Sequence, residues 1–161
     1  LEEENGIGAG KDKPAHAYIL LAEDNKINQK LVKIMLKNAG HKVDIVENGR
    51  QAVEKVKQIP YDLVLMDVQM PEMDGIEAAQ LIRQEGFSHL PIIALTANAF
   101  AKDKEKCLKG GMSHFITKPL RQAELLGTIS HWLDKREADI DLQWKGILPE
   151  EHTRERHAHW A

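Results

Sequence analysis

The chain has 161 residues, 42% of them apolar, which allows one sizeable core and leaves little room for a second. Its net charge of −3 offers no basic surface for nucleic acid, and no apolar run approaches the ~20 residues of a membrane span. The single cysteine, Cys107, cannot close an internal disulfide, and no opening stretch reads as a secretory leader, so a cytoplasmic setting is expected.

In chain order, Leu1 to Pro14 is acidic and then glycine-rich, and residues 1–16 read as a linker with too little apolar surface to fold. A chain opening on Leu1 reads as a piece of something longer. From 17 to 133, short apolar runs alternate with helical patterns, the extent of one domain. Strands are expected near 17–22, 42–46, 62–67, 91–95 and 113–116, and helices near 26–39, 49–59, 75–85, 98–109 and 121–133. Leu31, Ile34, Met35 and Asn38 fall at helical spacing and are expected to face the sheet. Gly40 suits the position just past the first helix, Asn48-Gly49 marks the turn into the second, and Pro60 stops it. Asp74 is expected to cap the third helix with Gly75 at its first position. Lys102 to Lys109 reads as a solvated helix face, on which Cys107 would be a semi-exposed thiol lowered in pKa by Lys104, Lys106 and Lys109. Residues 134–161 are dense in charge and read as a tail or short extra helix. There His152, His157 and His159 match no standard zinc spacing. Five β-then-α units imply an α/β, doubly wound, flavodoxin-like domain, a five-stranded parallel sheet with five helices over its two faces.

Four polar signals each follow an apolar strand. Asp67 ends Leu63-Val64-Leu65-Met66, a run with the all-round hydrophobicity of a central parallel strand. Glu23-Asp24 follows Tyr18 to Ala22, Thr96 follows Ile92 to Leu95, and Lys118 follows Phe115-Ile116-Thr117. Parallel strands would collect all four at the C-terminal edge, where open α/β sheets place their ligands. Any one alone has a plain structural reading: Asp67 opening a turn, Thr96 ending a strand, Lys118 on the surface, Phe115 in the core. Together, crowded carboxylates invite a divalent cation, and a hydroxyl with an ammonium suits an anion such as a phosphoryl group.

The set Glu23-Asp24-Asn25, Asp67 with Met70-Pro71-Glu72-Met73-Asp74-Gly75, Thr96-Ala97 and Lys118-Pro119 resembles the receiver domain of two-component response regulators. Asn25 to Gln29 and Gln69-Met70-Pro71 look most like receivers attached to hybrid histidine kinases. The resemblance implies a phosphoacceptor in a phosphorelay, with Asp67 as the nucleophile taking a phosphoryl group from a phosphohistidine. It implies Mg²⁺ held by Glu23, Asp24, Asp67 and the Gln69 carbonyl, Lys118 on a phosphoryl oxygen, and a cis peptide between Lys118 and Pro119. It also implies a switch in which Thr96 shifts inward and frees space for Phe115, which lacks a hydroxyl and so acts through packing. Partners would be a histidine kinase or histidine-phosphotransfer domain, with no nucleic acid and no membrane contact. Ile27 and Lys30 would lie where an incoming histidine helix docks. A free-standing single-domain regulator is a second architecture. A haloacid-dehalogenase-like phosphatase would want a second acid at Gln69 for proton transfer. A flavodoxin would want a phosphate-cradling loop where Glu23-Asp24 stand.

Overall fold

The computed structural model describes residues 16–144, with side chains as far as 138. The expected linker over 1–16, except His16, and the histidines beyond 150 lie outside the described residues. In chain order the elements are β1 (Tyr18–Ala22), α1 (Lys26–Asn38), β2 (Lys42–Val46), α2 (Gly49–Gln58) and β3 (Leu63–Asp67). They continue with α3 (Gly75–Gln84), β4 (Ile92–Thr96), α4 (Ala101–Lys109), β5 (His114–Thr117) and α5 (Gln122–Trp144). The strands form one parallel sheet in the order β2-β1-β3-β4-β5. This is the expected flavodoxin-like architecture.

The sheet order explains the hydrophobicity of each strand. Every residue of β3 and β4 is buried, because both have strands on either side and helices above and below. The edge strands β2 and β5 carry partly exposed residues instead. Alternation then divides the core. Leu20, Ala22, Val64, Met66, Ile92 and Ala94 meet α2, α3 and α4, while Ile19, Leu21, Leu63, Leu65, Ile93 and Leu95 meet α1 and α5. Among the described residues no helix is long and apolar enough to cross a membrane.

Three local expectations need correction. The buried face of α1 is Gln29, Val32, Met35 and Leu36; of the expected Leu31, Ile34, Met35 and Asn38, only Met35 lies on it. The helix bears two apolar stripes, and only the one that meets the sheet can be buried. Leu31 and Ile34 remain 44% and 52% exposed. Helix α4 starts at Ala101 rather than near 98, and its N-cap Phe100 makes no side-chain capping bond. Helix α5 runs on to Trp144 rather than stopping at 133. No proline or glycine interrupts Thr128 to Trp144, and buried Arg136 holds the extension to the body through Asp62, 3.5 Å away. Gly40 is confirmed just past α1, with φ of 90°.

Two polar clusters fix the parts of the fold that the sheet leaves loose. On the edge strand β2, Asp44 Oδ2 accepts both the Tyr18 hydroxyl at 2.7 Å and the Tyr61 hydroxyl at 2.6 Å. Burial pushes the Asp44 carboxyl up, but the two phenols, Lys55 and Lys42 outweigh it and leave the group below its ordinary value. From α3, the Arg83 guanidinium donates to the carbonyls of Gly111 (2.8 Å), Phe87 (2.6 Å) and Leu90 (2.7 Å). It thereby ties the loops that lead into β4 and β5 to one helix.

Replacing that fork with an apolar chain of similar length leaves three carbonyls short of a donor. Arg83→Met should therefore lower unfolding stability by about 2–3 kcal/mol, measured by urea denaturation. A loss below ~0.5 kcal/mol would show that water serves those carbonyls equally well.

Candidate functional site

Strand register brings the polar signals to one edge. Ala22 pairs with Met66, Asp67 with Leu95, and Thr96 with Thr117, so Glu23, Asp67, Thr96 and Lys118 end or directly follow neighbouring strands. One carboxylate oxygen each from Glu23, Asp24 and Asp67 lies within 4.8 Å of the others. Glu23 and Asp67 are buried and Asp24 is exposed. The Lys118 ammonium sits 3.3 Å from Asp67 Oδ2 and 3.4 Å from Glu23 Oε1. The Lys118–Pro119 peptide is cis. The Gln69 N–H donates to Asp67 Oδ1 at 3.3 Å.

Burial first, and then the charge on Glu23, push Asp67 up to about 6, against the opposing pull of Lys118 and the Gln69 N–H. A single ammonium facing three acids leaves the cleft short of positive charge. Convergent hard oxygens with that deficit suit a small divalent cation such as Mg²⁺.

Local sequence builds this geometry. The Glu23 N–H donates to the Val46 carbonyl at 3.0 Å, which ties the turn after β1 to β2. Asn25 caps α1 through its side-chain oxygen, which accepts the Asn28 N–H at 2.9 Å. The Asn25 N–H donates back to Glu23 Oε2 at 3.1 Å. Below them, the buried Gln29 amide donates to the Glu23 carbonyl at 2.7 Å. Gln29 was legible only as part of the Asn25–Gln29 resemblance, and its buried role went unread. The helical face drawn through Leu31 and Ile34 points away from it.

Around Asp67, Asp74 caps α3, and Glu77 returns a bond to the Asp74 N–H, a reciprocal pair that the Asp-x-x-Glu spacing signals. Gly75 is required there. A Cβ on it would run into the Asp67 carbonyl, and its N–H donates to Val68 at 2.9 Å. The turn between them holds Glu72 at φ of 66°, in the left-handed region.

Asp67, Gln69, Thr96 and Lys118 line one cleft of about 270 Å³, which continues past Asn98 to Asp103 and Cys107. The Thr96 hydroxyl accepts the Asn98 N–H at 3.1 Å, so it is engaged with the following loop. Phe115 pairs with Ala94, which puts it on the same sheet face as Thr96 but outside the cleft lining. The Lys104 ammonium lies 4.8 Å from the centre of its ring, and His114 stacks at 5.4 Å. Cys107 is a correction: it is fully buried, and burial and then Asp103 push its thiol up despite Lys106. The pull of Lys106 toward the thiolate is outweighed, so the thiol is not activated.

Residues 19–130 match the response regulator receiver domain family, and the chain belongs to it. Among curated proteins it is 47% identical over 120 residues to hybrid signal transduction histidine kinase B of Dictyostelium discoideum, covering 67% of this chain and 6% of that kinase. It is 44% identical over 108 residues to the histidine-protein kinase BarA of Escherichia coli, covering 66% of this chain and 12% of BarA. The chain thus spans a small fraction of these relatives. Among solved structures, the receiver domain of a Pseudomonas aeruginosa sensor histidine kinase, with magnesium coordinated in its active-site cleft, is 42% identical. The match has a TM-score of 0.70 and covers 74% of this chain and 99% of that one. The Saccharomyces cerevisiae Ssk1 receiver, co-crystallised with the histidine phosphotransfer protein Ypd1, gives 33% identity and a TM-score of 0.69 over 73% and 89% of the two chains.

The acid crowding has a measurable cost. An acid with a raised folded pKa reverses the usual carboxylate case: ionised, it weakens the fold fully above about 6, and the penalty fades as pH falls toward 3.8. In chelator at about pH 7.5, Asp67→Asn should raise stability on the order of 1–2 kcal/mol, with the gain shrinking by about pH 5. Denaturant melts at the two pH values measure it, and a parent as stable as the variant at the higher pH would contradict the electrostatic picture.

Proposed function

We propose that this receiver domain accepts a phosphoryl group onto Asp67 from a protein phosphohistidine, as the receiver portion of a hybrid histidine kinase. The observation that carries the reading is a buried carboxylate at the end of the central strand, flanked by two acids and met by one lysine. A carboxylate oxygen of Asp67 attacks phosphorus, the P–O bond forms as the P–N bond breaks, and the imidazole leaves with the electron pair. Phosphoryl transfer depends on positioning and charge neutralisation more than on proton chemistry. Lys118 is already between Asp67 and Glu23 and would pair with a phosphoryl oxygen. Thr96 would turn its hydroxyl from Asn98 to another such oxygen.

Glu23, Asp24 and Asp67, with the Gln69 carbonyl, would hold Mg²⁺, which supplies the positive charge the cleft lacks. The magnesium in the cleft of the similar Pseudomonas receiver supports this assignment. Movement of Thr96 and Phe115 would bias a two-state equilibrium through packing on the face formed by α4, β5 and α5. The domain is taken to span 17–133, with the rest of α5 leading out of it. A haloacid-dehalogenase-like phosphatase is not favoured, because Gln69 stands exposed where its second acid would be. A free-standing regulator is the second architecture, less supported because the curated relatives, hybrid signal transduction histidine kinase B of Dictyostelium discoideum and BarA, are histidine kinases.

The partner would dock on α1. Ile27 (77% exposed), Leu31 and Ile34 form an open apolar row on a helix that starts beside the acids. Lys26, Lys30, Lys33 and Lys37 flank it, and α1 contains no acid. A histidine-bearing helix with an apolar stripe and an acidic rim fits that face, and the Ypd1 complex of the similar Ssk1 receiver supports a partner of this class. Docking would be transient, since the partners must separate after transfer.

Incubation with acetyl phosphate and Mg²⁺ should add one phosphoryl mass to the parent, and none to Asp67→Asn or Asp24→Ala. A variant labelled as readily as the parent would remove that residue from the mechanism. Leu31→Glu should slow transfer from phosphorylated histidine domains about tenfold or more, by placing a charge in the apolar row, while labelling by acetyl phosphate stays unchanged. Equal slowing of both reactions would place the defect in the cleft and not in docking.

A further inference from the structure

We infer that Gln29 is the positioning residue of the acidic pair, and that its amide makes the site selective for a small cation. The inference rests on the reading of Glu23, Asp24 and Asp67 as magnesium ligands. Gln29 occupies the first turn of α1 on the face shared with Val32, Met35 and Leu36, and is itself only 8% exposed. An apolar side chain would fill that position more cheaply, because a buried amide must find partners to offset its desolvation.

Gln29 finds them in the turn that carries the acids. Its side-chain amide donates to the Glu23 carbonyl at 2.7 Å, and its own N–H donates to the Asn25 carbonyl at 2.9 Å. One residue thus grips the turn on both sides of Asp24. The other contacts complete the clamp: the Glu23 N–H is held by Val46, and the Asn25 N–H closes onto Glu23 Oε2. The carbonyl that Gln29 holds belongs to the peptide joining Glu23 to Asp24, so its orientation sets where the exposed Asp24 side chain begins. Rotation of that peptide would swing Asp24 relative to Asp67.

Mg²⁺ needs near-octahedral oxygens at about 2.0–2.1 Å, whereas Ca²⁺ accepts irregular sets at about 2.3–2.6 Å. A turn gripped on both sides favours the ion that tolerates no slack. Loosening the grip penalises Mg²⁺ more than Ca²⁺, a discrimination that a purely structural glutamine would not affect.

The test uses Gln29→Met, which keeps length and buried volume but loses the donor, and Gln29→Asn, which keeps the amide but shortens its reach. Folding is checked by circular dichroism, and Mg²⁺ and Ca²⁺ are titrated separately while the amide resonances of Asp24 and Asn25 are followed. Each folded variant should bind Mg²⁺ about tenfold more weakly, the usual effect of removing a group that orients a metal ligand. Ca²⁺ affinity should change less than about twofold, so the ratio between the ions falls. Unchanged Mg²⁺ affinity, or equal losses for both ions, overturns the inference and leaves Gln29 a packing residue. A parent that binds neither ion overturns the metal reading itself, and the inference with it.

Discussion

Three carboxylates with oxygens within 4.8 Å of one another, faced by the Lys118 ammonium, set the terms for the rest of this molecule. Like charges so close, two of them on buried residues, repel in a medium that screens them poorly. The fold tolerates this because the acids stand at the edge of a sheet whose two central strands are buried throughout. The surplus that holds Asp67 in an unfavourable place comes from apolar residues that take no part in the chemistry. The same surplus negative charge suits the cleft to a cation, the premise of the proposed phosphoryl transfer.

Rigidity around the cleft is supplied by a few contacts with distinct roles. Gly75 lets α3 press against the Asp67 carbonyl, so the strand end cannot drift away from the helix below it. Gln29 and Asn25 clamp the turn that carries Glu23 and Asp24. Farther off, Arg83 ties together the loops that lead into β5 and into β4, the strand that ends at Thr96. By contrast, Thr96 is engaged with the next loop through Asn98, and Phe115 lies half-buried under Lys104. The proposed population shift would draw on this contrast between a firmly held acidic rim and its neighbours on the adjoining strands.

The proposed docking surface and the contacts to the acids lie on different faces of α1. The inner face of α1 carries Gln29, which reaches the acids, and the outer face carries Ile27, Leu31 and Ile34 between lysines. A partner seated on the outer face would therefore touch the element whose first turn fixes the turn carrying Glu23 and Asp24. In that reading, docking and site geometry are mechanically close without sharing a residue, which would let partner choice vary while the chemistry stays fixed.

Much of this was legible in the chain itself. Four apolar runs of strand length, each ending or followed by a polar residue of distinct chemistry, determined both the parallel sheet and the membership of the cleft, because a buried parallel strand tolerates a carboxylate only where it ends. Glycine and proline placed the helix ends at Gly40, Pro60 and Gly75 for equally local reasons. Tertiary structure decided what local pattern leaves degenerate. Helix α1 has two apolar stripes at the same spacing, and only contact with the sheet chose Val32, Met35 and Leu36 over Leu31 and Ile34. Cys107 sits among lysines in sequence, yet burial and then Asp103 raise its pKa against the pull of Lys106. The bond from Gln29 to Glu23 spans six residues and a change of secondary structure, so neither helical period nor capping rule announces it. Periodicity and end signals act within a few residues and survive in the sequence. Which face is covered, and which polar atom meets which, depends on neighbours that only folding brings into contact.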